Sequence, residues 1–451
     1  VGFYAEEYKR KLMNADQAAS LVKSGDLVDY GQAGIKPIAF DIALAARVDD
    51  PDLKDVIVRV TNAIPPVPQI PVKDPQQKTF TYLSNFLGII DRMLYQKGLC
   101  GFIPANYHQV SDILVQQPQT AGTVWCGQVA PMDENGFFSF GITNSHNYLY
   151  GKTAKTRIVE ITPDMPRALG GYHEGFHISE IDAIIETNNS VPCLPPPAEG
   201  APEIKKIAAF IMEDIKNGDC LQLGIGDVPN EIGRMISESD LKDLGLHTEL
   251  FMDSMMKMYH NGQISNARKA YDQGKTAYTF CFGSRECYDF INNNQLLASY
   301  PVYYTNLPER IAAHDNMISI NNILEIDLLS QCCSESVGYK QFSGTGGQVD
   351  FVSGALKSKG GKAFLAFTST YKDKEGIVHS RIKPMLTPGA VVTVPRTLTP
   401  TLVTEYGKTN LFGLSIWKRA EELINIAHPD FRDDLIKEAE KMQIWRRSSR
   451  I

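Results

Sequence analysis

Residues 245–253, GLHTELFMD, hold one carboxylate, Glu249, inside a run that is otherwise apolar up to Asp253 apart from His247 and Thr248. A carboxylate so placed is either a wetted side chain or a group kept for chemistry, as a general base or as a nucleophile toward an activated carbonyl. Alternation separates Leu246, Thr248 and Leu250 from His247, Glu249 and Phe251. The run therefore reads as a half-buried strand with Glu249 on the face of Phe251. Two glycine-rich turns flank it in sequence. LQLGIGDVPNEIG (221–233) is a strand entering a Gly-x-Gly turn and then a helix, and Gly224 and Gly226 leave room for backbone N–H groups to approach a ligand. FSGTGGQVDF (342–351) has glycine at 344, 346 and 347, where exposed amides suit a phosphate or an oxyanion formed at a carbonyl. Taken alone, each turn is equally a tight connection.

A second constellation competes. HEGFH (173–177) satisfies the H-E-x-x-H pattern of zinc peptidases, whose chemistry needs a helix to bring both histidines to one face. Gly170, Gly171 and Gly175 disfavour helix, and the alternation after His177 favours a strand. A polar loop leading into a strand is expected, without metal. Neither a G-x-S-x-G elbow nor a G-x-x-x-x-G-K-[ST] phosphate loop occurs.

The elements that must position these residues are those of a mixed α/β protein. Strand-like runs lie at 55–60, 156–162, 276–282, 363–368 and 390–395, and the clearest helices are KRAEELINIA and RDDLIKEAEKM near the C-terminus. VPCLPPPAEGAP (191–202) reads as an extended linker, because its five prolines remove backbone donors and fix φ. It divides the 451 residues into two domains, 1–195 and 196–451, the number that this length predicts. The two parts echo one another. NADQAASLVKSGDLVDYGQAGIKP (14–37) and PEIKKIAAFIMEDIKNGDCLQLGIGDVP (202–229) each run from a helix through Lys-x-Gly-Asp into a strand and a glycine. Gly25 precedes Gly31 by the interval that separates Gly218 from Gly224, as expected of duplicated α/β domains.

Bulk properties exclude other classes. A net charge of -7 argues against nucleic acid as the main partner, and no apolar run reaches the roughly 18 residues of a membrane span. The N-terminal segment lacks the apolar stretch of a signal peptide. Eight cysteines without C-x-x-C spacing form neither a disulfide framework nor a zinc pattern, so a reducing cytoplasm is the expected location.

The motifs GIGDVP, LGLHTEL, FSGTGGQVDF, SKGGK and VTEYGKTNLFG, in this order, resemble family I coenzyme A transferases. The resemblance is to the acetyl-CoA hydrolase/transferase group, in the branch of 4-hydroxybutyrate and butyryl-CoA:acetate CoA-transferases. KSGDLVDYG, VAPMDENGFFSFG, SEIDAIIE, YDFINNN and INIAHPDFR extend it over nearly the whole chain. It implies two related α/β domains of CoA-transferase fold with the active site between them, and a homodimer or homotetramer. It also implies a catalytic glutamate, which falls on Glu249. That carboxylate attacks an acyl-CoA thioester, passes through an acyl-glutamyl anhydride to a glutamyl-CoA thioester, and is regenerated by an incoming acid. Gly347 and Val228 match the oxyanion-hole positions, and Asn306 in YYTNLPER matches an active-site asparagine. Gly224, Ile225, Gly226, Asp227 and Val228 correspond to a CoA-contacting loop that Gly347 joins, and Lys359 in SKGGK to a cation near CoA. Residues 32–37, QAGIKP, depart from the aromatic or glycine-rich version expected near the acyl pocket. Coenzyme A thus enters as the acyl-CoA substrate, with a short-chain carboxylic acid as its partner. Hydrolysis of the acyl-CoA by water is the alternative within the fold. A silent CoA-binding scaffold is disfavoured by the retained glutamate.

Overall fold

A computed structural model describes residues 3–195 and 199–445. The chain divides into two compact units. The first extends to residue 195 and adds residues 251–253 and 275–306; the second holds the remaining segments.

In the first unit a seven-stranded sheet is built from β1 (Leu27–Gln32), β2 (Val56–Thr61), β3 (Phe80–Ser84), β4 (Gly101–Phe102), β5 (Val124–Val129), β6 (Thr156–Ile161) and β7 (Ala183–Glu186). The order is 4-3-2-1-5-6-7, and every pairing is parallel. Helices cover a parallel sheet on both faces, so its strands read as near-continuous apolar runs; all six residues of β5 are buried. One charged pair sits inside. Asp29 on β1 lies opposite Arg59 on β2, and the guanidinium grips the carboxylate at 2.6 and 3.0 Å.

The second unit repeats the plan with β8 (Cys220–Leu223), β9 (Gly245–Leu246), β10 (Met317–Asn322), β11 (Lys362–Ala366), β12 (Thr401–Thr404) and β13 (Gly407–Asn410). The order is 9-8-10-11-12-13, parallel except for the last pair. In each sheet the chain places its second strand on one side of the first and later strands on the other, so β1 and β8 both border a topological switch point. The turn glycines before them also agree. Gly25 (φ 79°) donates its N–H to the Lys54 carbonyl, and Gly218 (φ 86°) donates to that of Lys242. The echo in sequence is an echo in topology.

Three expectations change. The run 276–282 is two short strands, Thr276–Tyr278 and Phe280–Cys281, because the intervening Thr279 turns its carbonyl to the N–H groups of Asn144 and Ser145. The run 390–395 forms no strand: a bend at Thr393 and Pro395 just beyond leave only Val394 to bridge to Cys332, on the edge of a short sheet. The half after residue 195 is not one domain either. Phe251 packs on Tyr278 and Phe290, and Ala277, Ala298, Tyr300 and Tyr304 form a buried cluster of their own, which draws 251–253 and 275–306 into the first unit. The C-terminal helices Ile416–Asn425 and Pro429–Lys441 stand as expected, burying Leu423, Ile424, Leu435 and Ala439. No helix among the described residues is long and apolar enough to cross a membrane.

Candidate active site

The first glycine turn leaves β8 at Leu223 and enters the helix Asp227–Ser237, for which Gly226 is the N-cap at φ 130° and ψ 178°. L side chains rarely adopt that conformation, so glycine is needed there. A helix N-terminus leaves its first N–H groups without intrahelical acceptors and carries partial positive charge. Here Pro229 has no N–H, and the N–H of Asn230 donates to the Gly226 carbonyl at 3.0 Å. Asp227 and Val228 are left as first-turn donors, while the Ile225 side chain stands exposed at the tip.

The second turn ends on Gly347, the N-cap of the helix Gln348–Lys357, just after Gly346 at φ 57°. Thr345 anchors it through a 3.2 Å hydrogen bond to the Glu335 carboxylate. The Gln348 side chain donates Nε2 to the main-chain carbonyl of Asn322 at 2.8 Å. Asn322 is the last residue of β10, the neighbour of β8. Both turns therefore meet at the carboxyl ends of β8 and β10, at this sheet's switch point, where open α/β sheets bind their ligands.

Glu249 reaches the same edge along β9. The expected single strand is interrupted: β9 ends at Leu246, the chain bends at Glu249, and extended structure resumes at Leu250–Phe251. Nor is one face wet. From residue 244 to 252 every residue is buried except Glu249, which is half-buried. The Thr248 hydroxyl donates to the Leu250 carbonyl at 3.0 Å and braces the bend. Behind it lies a pair of imidazoles. Ala270 N–H donates to His314 Nδ1 at 3.2 Å, so the His314 proton sits on Nε2, which points at His247 Nδ1 3.1 Å away. His247 accordingly carries its proton on Nε2. Burial, followed by the Lys269 ammonium, pushes His314 down to about 3. His314 is therefore neutral at physiological pH and adds no charge behind the carboxylate.

One sheet edge of the second unit thus collects Glu249, the turn 224–228 and Gly347. Lys359 is not brought there. Its main-chain carbonyl accepts the N–H of Asn316, just before β10 begins, so it lies at the opposite edge, roughly 17 Å away at about 3.3 Å per residue. Its side chain is 88% exposed and lies 3.9 Å from Asp315. Lys359 is therefore not among the residues gathered at the Glu249 end of the sheet. Asn306 belongs to the first unit, where it closes the helix Val302–Thr305, buried, with Oδ1 accepting from the Thr305 hydroxyl at 2.9 Å.

In HEGFH the helix is absent, but the strand comes earlier than expected: residues 175–177 pair with Phe137–Ser139, and after His177 a short turn, Ile178–Glu180, precedes the strand Ala183–Glu186. His173 stacks on Tyr148 and bonds the Tyr303 hydroxyl, while His177 turns to Ser179, so the two rings serve different neighbours. Among the described residues no His/Cys/Asp/Glu group is arranged to hold a metal. All eight cysteines are unpaired.

Sequence reasoning missed Asn321, Asn322 and His314. Two consecutive asparagines closing an apolar strand, in MISINN, were the available signal. His314, isolated in sequence, offered none.

Residues 3–195 match the acetyl-CoA hydrolase/transferase N-terminal domain, and residues 283–439 its C-terminal domain. A butyryl-CoA:acetate CoA-transferase of Anaerostipes caccae is 45% identical over 448 residues, covering 99% of this chain and 100% of the relative. The chain belongs to the acetyl-CoA hydrolase/transferase family. A second member, a probable butyrate:acetyl-CoA coenzyme A-transferase of Syntrophomonas wolfei, is 46% identical across 99% of this chain and 98% of its own. The crystal structure of RipA from Yersinia pestis superposes with a TM-score of 0.89 at 34% identity, covering 98% of this chain and 99% of that one. Membership makes the chain an enzyme that transfers CoA.

Proposed function

We propose that this enzyme moves CoA between a short-chain acyl-CoA and a carboxylate such as acetate, with butyryl-CoA the first acyl donor to try. The observation that carries the reading is Glu249, the one accessible residue in a buried segment, at the sheet edge where two helix N-termini present amides. A Glu249 oxygen attacks the thioester carbonyl, and the negative charge that develops on the carbonyl oxygen is met by the N–H groups of Val228 and Gly347. Collapse breaks the C–S bond and yields the anhydride and CoA thiolate. The thiolate then attacks the glutamyl carbonyl, the acid departs as its carboxylate, and the enzyme holds a glutamyl-CoA thioester. A second carboxylate reverses these steps, so the glutamate is regenerated and no net proton is needed. A carboxylate is required because it alone forms both the anhydride and the thioester without being consumed. Asn306 is a further catalytic residue in this reading, and the turn 224–228 holds CoA. The reading extends to a homodimer or homotetramer in a reducing cytoplasm.

The experiment supplies butyryl-CoA with and without acetate to the purified protein and to Glu249→Ala, separating acetyl-CoA, free CoA and butyryl-CoA by chromatography. Acetyl-CoA appearing only with acetate, and only with Glu249 present, is the expected result. Free CoA released equally without acetate would establish hydrolysis instead.

A further inference from the structure

The last two residues of β10, Asn321 and Asn322, each occupy space that a glycine of the first turn leaves open. A Cβ on Gly224 would lie 2.7 Å from Asn321 Oδ1, and one on Gly226 only 2.1 Å from Asn322 Nδ2. Asn321 is fixed by a buried amide network. Its Nδ2 donates to Ser319 Oγ at 3.0 Å, its Oδ1 accepts from Gln222 Nε2 at 3.3 Å, and Ser319 Oγ donates to Gln222 Oε1 at 2.8 Å. Asn322 is fixed through its main chain, by the hydrogen bond from Gln348. One residue thus touches both turns. Its side chain lies against Gly226, two residues before Val228, and its carbonyl holds the residue that follows Gly347.

We propose that Asn322 is a positioning residue of the oxyanion hole, with Gln348 as the strap that joins it to the second turn. The inference rests on the transfer reading above and on Val228 and Gly347 as the oxyanion donors. Those two amides start different helices, and glycines give their turns the greatest freedom to drift. Both donors must nevertheless stand 2.7–3.1 Å from one oxygen to stabilise it, a general requirement of such holes. Asn322 couples them. Its side chain bears on the N-cap of the helix that presents Val228, and its carbonyl sets where the helix capped by Gly347 begins. The Asn322 Oδ1 atom is buried with no hydrogen-bond partner, as is Gln348 Oε1. Unmet buried acceptors are a standing cost to folding, which aliphatic residues of similar size would avoid. Their retention fits a role in holding geometry that an aliphatic contact would not define.

The test compares Asn322→Ala, the near-isosteric Gln348→Glu, and the double variant with wild type. It reads kcat, KM for each substrate, the rate at which the glutamyl-CoA thioester accumulates, and the melting temperature. Each single variant is expected to lose about 10- to 100-fold in kcat and in thioester formation, part of the 10²–10³ that a lost oxyanion donor costs. KM for acyl-CoA should stay within about twofold. The double variant should be no worse than the worse single, because both changes disable one device. Gly226→Ala should be severely impaired and partly rescued in Gly226→Ala/Asn322→Ala, where the colliding carboxamide is gone. Unchanged kcat in both singles, losses confined to KM, or multiplicative losses in the double variant would overturn the role. Wild type inactive on every acyl-CoA, or an active Glu249→Ala, would instead overturn the transfer reading on which it rests.

Discussion

Acidification from pH 7 to pH 5 should cost the second unit about 2 kcal/mol of stability through one side chain, His314. A free imidazole titrates near 6.5. In the folded chain burial and the Lys269 ammonium lower His314 to about 3. Its folded value is depressed, so the stabilisation is fully present above 6.5 and is lost as pH falls toward 3. Within that window the unfolded chain binds a proton that the folded chain refuses. The loss runs at about 1.4 kcal/mol per pH unit and integrates to about 2 kcal/mol between pH 7 and 5. The structure explains the refusal. His314 Nδ1 already accepts the Ala270 N–H, so a second proton there would face a donor, in a site where the ring is fully buried. Glutamine can replace both hydrogen bonds, its carbonyl facing Ala270 and its amide facing His247, without titrating. The assay is native-state hydrogen exchange of the amides in β8 and β10 at pH 7 and 5, after correction for intrinsic exchange rates, in wild type and His314→Gln. The variant should lose about 2 kcal/mol of the wild-type pH difference. His146 in the first unit is also lowered to about 3, by burial and then Arg59, but it is common to both proteins and cancels. An unaltered pH difference in His314→Gln would refute the claim that burial keeps this ring neutral.

Other perturbations have equally definite outcomes. Glu249→Asp withdraws the attacking oxygen by about an ångström and should cut kcat on the order of 100-fold, with CoA affinity preserved in calorimetry; near-normal turnover would remove Glu249 from the chemistry. Lys359→Ala should leave KM for acyl-CoA within about twofold in steady-state kinetics, since the side chain is solvated at the far edge of the sheet; a tenfold rise would return it to the CoA site. Arg59→Met leaves Asp29 buried without its partner and should destabilise the first unit by about 3–5 kcal/mol in denaturant unfolding. A change below about 1 kcal/mol would mean that water reaches the carboxylate.

Much of the architecture was legible because it rests on local chemistry. Apolar runs at 55–60, 156–162 and 363–368 became strands, as parallel sheets covered on both faces require. The Lys-x-Gly-Asp echo marked equivalent turns before the two switch-point strands, since only a residue tolerant of positive φ fits at Gly25 and Gly218. Sequence misled at 390–395, which has the composition of a strand but pairs through Val394 alone. The assignment of 251–253 and 275–306 to the first unit was likewise invisible, because it depends on which aromatic cluster buries Phe251 and Tyr278.

The candidate site divides in the same way. Residue types in sequence order determined that a lone carboxylate stands with two glycine turns, and that a helix follows the first of them. Tertiary structure decided that Glu249 is the one accessible residue of its segment, that the turns meet across β8 and β10, and that Lys359 lies at the other edge. It also revealed Asn322 and His314, whose contacts join residues 26, 67 and 96 positions apart in the chain. Conformational preference is a property of a few neighbouring residues and is written locally. Burial and register belong to the folded sheet, and only closing the chain determines which side chain fills the space that a distant glycine leaves empty.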